Sequence, residues 1–468
     1  MENKIEAAET FAQYAASLKY EHIPTEVRES TKRSILDTLG VTIAASTQGE
    51  GYKELIGLIK DGGGKEESTV IGFGGKVPAW MAAYANGAMA RALMYDDGHD
   101  EAHTHPSSAT VTAALAVAER IGKVNGKEFI TAVILGNDIT SRMGLSTCMT
   151  PRGRKTDWCL VNVHGVFGAA AACGKLLGLD VGKMQNAFGI ALYESAGTME
   201  AYSAGHAAMM TGMSSGFTAK GAVLSALMAE KGITGARNSL EGKAGLYNVH
   251  FRGEYNRDVL MGDLGKTFES ANIGIKPWPG VRYTHSYIEA TLKLMREYHI
   301  TSQNISQVTV FVAGMAQTLC EPLEVQRQPA TSQDANRSLP YLVAVAATKG
   351  GVKIKDMALE ALRDPATLQF VRKIVPEYYE RFSTITRMAG PGKVEIRLNN
   401  GKSYSMEIDI PYGHPQNPIT WPDLTDKFRD CASYSAIPLS KQDIEKTIDM
   451  VSHLEEIEDI RQLVTILA

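Results

Sequence analysis

Residues 95–119 read YDDGHDEAHTHPSSATVTAALAVAE. The first half carries Asp96, Asp97, His99, Asp100, Glu101, His103 and His105. The second half is small and apolar, with no charge before Glu119. Ala, Val and Leu without a polar stripe predict a helix buried on all sides. Pro106 makes residues 99–106 a poor helix interior. Ser107 or Ser108 is suited to cap the helix that follows. The chain thus sets a dense run of titratable groups directly before a buried helix.

The same texture extends outward. Gly165–Leu192 (GVFGAAAACGKLLGLDVGKMQNAFGIAL) and Ser214–Ala229 are rich in Ala and Gly. Each helical Gly costs about 1 kcal/mol relative to Ala, so their repetition points to close helix packing. Phe129, Ile130, Val133 and Ile134 recur at helix spacing, as do Ile35, Leu36, Leu39 and Ile43 after Pro24. The pattern stays helical from residue 5 to about 265. Then Ile305–Val312 (ISQVTVFV) alternates, and Val394–Leu398 and Ser403–Ile410 flank Asn399-Asn400-Gly401, a hairpin signal. Helices are expected at Leu339–Ala347 and Asp356–Leu362, and after Pro411 at Asp423–Cys431 and Lys441–Leu454. The expected fold is mainly α. A large all-helical domain (1–268 and 411–468) is interrupted by a smaller α+β domain (269–410). A cleft between two such units is a usual place for a small-molecule site.

The 468 residues exceed what one core usually supports. A net charge of −4 gives no reason to expect nucleic acid or an anionic membrane as a partner. No apolar run reaches the roughly 18–20 residues that span a bilayer. The early acids of MENKIEAAETFAQYAASL are unlike a signal or transit peptide. Five cysteines, widely spaced and without C-x-x-C, fit a reducing cytoplasm better than a disulfide framework or a metal ribbon.

Three readings of 95–108 compete. His99 and His103 stand at i, i+4 as in a zincin helix, but the position needing Glu is Asp100 and Pro106 breaks the helix, so no metal is expected. Turns and caps explain some residues but not the density. Acid–base chemistry explains most. A His at a helix N-terminus, fixed by neighbouring carboxylates, moves protons near neutral pH, and the helix end favours an anionic substrate.

This stretch resembles the signature of the MmgE/PrpD family, a D-[FY]-D-D-[TS] segment running into H-P-S and a small-residue helix. Further stretches resemble the family in order: SILDTLGVTIAAS (34–46), HGVFGAAAACGKLLGLD (164–180), KGITGARNSLEGKAGLY (231–247), IKPWPGVRYTHSYIEA (275–290), SLPYLVAVA (338–346) and PYGHPQNPITWPDLTDKFRD (411–430). The family includes 2-methylcitrate dehydratases, cis-aconitate decarboxylases and iminodisuccinate epimerases. The resemblance implies a homodimer, a helical domain, an α+β lid, and a site between them for a small carboxylate that needs no cofactor.

It implies roles for particular residues. His105, before Pro-Ser, becomes the proton-transfer group. Lys276 pairs with a substrate carboxylate or stabilises an enolate-like intermediate. Arg282, with His285 beside it, grips a carboxylate through its fork. Asp96 and Asp97 orient His105 or bind substrate. Three positions depart from the family pattern. An earlier Asp is Met94, the usual Thr or Ser is Gly98, and a K-x-L-H-x-G segment reads MMTGMSSG over Met209–Gly216. His99, His103, His206 and Tyr202 are the candidate replacements. The expected activity is a lyase, a dehydratase or decarboxylase acting next to a carboxylate. The alternative is an epimerase, which the departures favour. A non-catalytic binder would have little use for His105, Lys276 and Arg282.

Overall fold

The computed structural model describes residues 5–150, 156–203 and 208–468. Its helices of ten residues or more are α1 (Ala7–Ser17), α2 (Thr25–Gln48), α3 (Tyr52–Asp61), α4 (Ala79–Arg91), α5 (Pro106–Ile121), α6 (Gly126–Cys148), α7 (Leu160–Leu176), α8 (Val181–Glu194), α9 (Met210–Glu230), α10 (His285–Glu297), α11 (Leu339–Lys349), α12 (Trp421–Ala432) and α13 (Lys441–Ser452). Strands β1 (Ser68–Thr69) and β2 (Lys76–Val77) form a small ladder. The other strands, β3 (Ile305–Val312), β4 (Ile374–Tyr378), β5 (Gly392–Leu398) and β6 (Ser403–Ile408), make one sheet in the order β4-β3-β5-β6. The fold is mainly α with a small sheet unit. Among the described residues no helix is long and apolar enough to cross a membrane.

The Ala/Gly helices pack as their composition demands. A Cβ on Gly87 of α4 would stand 2.9 Å from the Ser215 carbonyl oxygen of α9, and one on Gly216 would stand 2.6 Å from that of Tyr84. Gly136 of α6 and Gly168 of α7 meet in the same backbone-to-backbone way. Replacing any of these would force the helices apart. α5 is the central rod. Pro106 to Glu119 are all buried, so the helix has no polar face. The C-terminal helices return to this core, with Phe428 and Cys431 of α12 seated against Gly40 of α2.

The sheet has its own core. Tyr287, Ala290 and Leu294 of α10 pack with Val308, Val310, Ile374, Val394 and Ile396. β3 pairs antiparallel with β5 and parallel with β4. Gly401, at φ +83°, makes the β5–β6 turn.

Two local expectations need correction, and one strand was not expected. Asp356–Leu362 is not a helix but two 3₁₀ turns, Ile354–Met357 and Ala361–Arg363. The Tyr341 hydroxyl donates to the Asp356 carbonyl at 2.8 Å and lies 3.4 Å from that of Ala361. Both acceptors are thereby drawn away from a helical ladder. Strand β4 gave no sequence signal because Pro376 interrupts it and its residues are mostly exposed, as an edge strand allows. Neither Ser107 nor Ser108 caps α5. His105 is the N-cap residue and Pro106 opens the helix, where its missing N–H costs nothing.

Candidate active site

A cavity of about 230 Å³ lies between the helical core and the sheet unit. α4 delivers Arg91, the last residue of an otherwise uncharged helix. The chain then runs through residues 94–105 as a buried loop, pinned by its own backbone. Gly98 and Gly274 exchange N–H···O bonds of 2.9 and 2.8 Å, and the His99 N–H donates to the Thr104 carbonyl at 3.0 Å. Ser108 Oγ donates to the His105 carbonyl at 3.0 Å. The loop therefore presents His105 and His103 to the cavity from fixed positions.

His105 Nδ1 lies 2.5 Å from the carbonyl oxygen of Asp97. A carbonyl only accepts, so Nδ1 carries the proton and Nε2 is the basic nitrogen. Burial holds the imidazole well below its usual range, and the Arg91 guanidinium adds to that effect. His105 is thus a neutral base. Asp96 stands beside it, 3.5 Å from Nδ1, with Arg91 Nη1 at 2.8 Å and Lys276 Nζ at 3.5 Å. Burial opposes its ionisation, but Arg91 above all keeps it a carboxylate.

Its neighbour Asp97 is the reverse case. Its carboxyl is fully buried, with the Ser107 and Ser34 hydroxyls near it. Burial pushes this carboxyl up to about 7, with the Asp37 and Asp96 charges adding to the rise. It is the backbone carbonyl of Asp97, not its carboxylate, that orients His105.

Lys276 is fully buried and donates to the Met94 carbonyl at 2.7 Å. Burial lowers it to about 8, against the pull of Asp96. Below that pH it is an ammonium that can stabilise negative charge or give up a proton. Lys427 of α12 ties both segments together, donating to the carbonyls of Tyr95 and Lys276 at 2.9 Å each and pairing with Asp37.

The remaining expected residues divide. Arg282 lines the cavity, but its Nε and Nη2 already grip Asp100 at 2.9 and 2.6 Å. The fork expected to hold substrate is therefore occupied, and only the buried Nη1 lacks a partner. His103 lines the cavity and donates from Nε2 to the Thr386 carbonyl at 2.7 Å. Its Nδ1 is then a second basic nitrogen. Tyr202 lines it too, stacked against Arg337 at 5.1 Å. His285 does not. It is buried beside Trp278 and the Gly280 backbone, outside the cavity wall. Gly98 is also outside the wall but touches its chemistry, because a Cβ there would stand 3.3 Å from the His105 ring. His99 turns away to Glu269 at 3.1 Å. His206 lies outside the described residues. Residues 209–216 contribute no lining; from Met210 they open α9, which packs on α4.

Sequence reasoning missed Arg91 and Arg337. Each is a lone cation beside an apolar helix, and that isolation was the available signal. Arg337 is largely buried at the cavity, and burial lowers its affinity for protons. The described wall thus carries Arg91, Lys276, Arg282 and Arg337, with Asp96 beside Arg91 and Lys276, Asp100 on Arg282 and Asp334 near Arg337. Among the described residues no three His, Cys, Asp or Glu side chains converge to hold a metal ion.

Comparison with known proteins agrees with this architecture. The MmgE/PrpD N-terminal domain model matches residues 9–258, and the MmgE/PrpD C-terminal domain model matches residues 278–454. A cis-aconitate decarboxylase of Aspergillus terreus is 26% identical, covering 97% of this chain and 94% of its own. A human cis-aconitate decarboxylase is 26% identical over 98% and 94%. A cis-aconitate decarboxylase-like protein of Aspergillus oryzae is 25% identical over 97% and 96%. With both domain models matched in order across the helical core and the sheet unit, the chain belongs to the MmgE/PrpD family.

Proposed function

We propose that the protein is a cofactor-independent lyase, a dehydratase or decarboxylase, acting on a small di- or tricarboxylic acid by proton transfer next to a carboxylate. The observation that carries this is His105. Its Nδ1–H is committed to the Asp97 carbonyl, so a neutral imidazole offers Nε2 as base in a cavity lined by Arg91, Lys276, Arg282 and Arg337. The decarboxylase names of the relatives support the same class.

In the dehydrating form, Nε2 takes a proton from the carbon next to a substrate carboxylate. The electron pair enters that carboxylate, whose oxygens face Lys276 and Arg91. It returns as a carbon–carbon double bond when hydroxide leaves the adjacent carbon, and the Lys276 ammonium protonates the hydroxide to water. In the decarboxylating form, the bond to a carboxylate breaks and carbon dioxide leaves. The electron pair left on carbon then takes a proton from Lys276. Low polarity around buried cations strengthens each of these interactions.

The epimerase reading rests on a different observation. His103 brings a second basic nitrogen to the same cavity, and two bases can serve two faces of one carbon. Proton NMR of reactions with hydroxylated and unsaturated di- and tricarboxylates separates the readings. A new vinyl signal, or loss of carboxylate to an unsaturated product, supports the lyase. Inversion without such a product supports the epimerase and contradicts the lyase.

A further inference from the structure

Part of the cavity lining is not used by the proton chemistry. Trp158, Met199, Val281, Met315 and Met388 contribute apolar groups to it. Thioether and aliphatic groups offer nothing to a carboxylate and would leave it desolvated without partners. They do adapt well to a small alkyl group.

The polar side is equally selective. Two buried N–H groups of lining residues, Arg91 Nε and Arg282 Nη1, have no hydrogen-bond acceptor. Buried guanidinium donors are rarely left so, and two ligand carboxylates would satisfy both. Size agrees as well. A cavity of roughly 150 Å³ takes a six-carbon ring. By that scale about 230 Å³ holds roughly nine non-hydrogen atoms. A five-carbon dicarboxylate has about that many, and a tricarboxylate has clearly more.

Building on the lyase reading above, we infer that the substrate is a dicarboxylate bearing a short alkyl branch, its carboxylates on Arg91/Lys276 and Arg282/Arg337 and its branch against the methionine wall. Met315 and Met388 are then specificity-determining residues.

The test uses the whole protein and three series of probes. These are malate and fumarate, their 2-methyl and 2-ethyl derivatives, and citrate with cis-aconitate. Binding is read by calorimetry and turnover by proton NMR. One methyl group in an apolar pocket is worth about tenfold or more in discrimination. The methyl-branched dicarboxylates are therefore expected to bind at least tenfold tighter than their parents and tighter than either tricarboxylate. Met315→Lys is expected to erase the branch preference and raise tricarboxylate affinity, while Met315→Leu keeps the original order. Met315 is 44% exposed, so its substitution spares the core. Tighter binding of citrate or cis-aconitate, equal binding of branched and unbranched acids, or no binding by any probe overturns the inference. Failure of the lyase reading looks different: branched dicarboxylates bind in the expected order but lose neither water nor carbon dioxide.

Discussion

The two walls of the cavity contrast in how each side chain is held. On the wall built by residues 91–105 and Lys276, the groups assigned to proton transfer are fixed by other parts of the chain. The Asp97 carbonyl fixes His105, the Met94 carbonyl fixes Lys276, and Asp96 joins Arg91 to both. Elsewhere in the lining, Trp158, Met199, Val281, Met315 and Met388 contribute apolar groups, and Met315 stands partly open. Proton transfer needs a base within a fraction of an ångström of its target, so its wall is preorganised. Recognition of an alkyl group needs only a dry surface of suitable volume, so its wall can stay soft. Substitutions on the first wall should therefore change rate and pH dependence, and those on the second should change substrate choice.

The sharpest break comes at His105. His105→Gln is expected to lower kcat/KM by about 10²–10⁴-fold with little change in Tm, measured by steady-state kinetics and calorimetry. Lys276→Met comes next, with a loss of about 10²-fold. Lys276 also sets a pH limit. Its ammonium is required, and its pKa is lowered to about 8, so activity falls as pH rises through about 8. That limb disappears from the residual rate of the Met variant, which a pH–rate profile would show.

Asp97 makes a stability prediction on the same wall. Its carboxyl is raised from 3.8 to about 7 in the folded protein. Between those values the folded chain keeps a proton that the unfolded chain has lost. The stabilisation is therefore full below pH 4 and is lost as pH rises towards 7, with a slope of up to about 1.4 kcal/mol per pH unit. Asp97→Asn should flatten that slope in denaturant titrations across this range. The smallest effect is expected at Gly98. An added Cβ presses the His105 ring from 3.3 Å, so Gly98→Ala should lower kcat several-fold and leave KM nearly unchanged.

The same contrast explains what could be read from the sequence. The apolar run after Pro106, the alternation in Ile305–Val312 and the Asn-Gly turn are local signals, and the structure places the corresponding elements there. His105 stood out because a dense run of titratable groups before an apolar helix is unusual, and Lys276 stood out only through the family resemblance. The pairing of Arg282 with Asp100 was not legible, because those residues are 182 positions apart and meet only in the folded chain. Arg91 and Arg337 looked like ordinary helix-end cations for the same reason. The methionine wall was the least legible part. Its members come from five separate stretches of chain, and an apolar residue in a site reads like an apolar residue in a core. Asp96 and Asp97 show the limit at its plainest. They are sequence neighbours of one residue type, yet Arg91 keeps one ionised while burial pushes the other up to about 7.

The measurement that reaches the central claim most directly is deuterium incorporation in D2O, followed by NMR, for the wild type and His105→Gln with a substrate that the wild type turns over. Where the wild type dehydrates that substrate with His105 as the proton-transfer base, it labels the carbon next to a carboxylate and the variant does not, although the variant still binds the substrate. Labelling by the variant at the wild-type rate would contradict that assignment and move the chemistry to another group in the cavity.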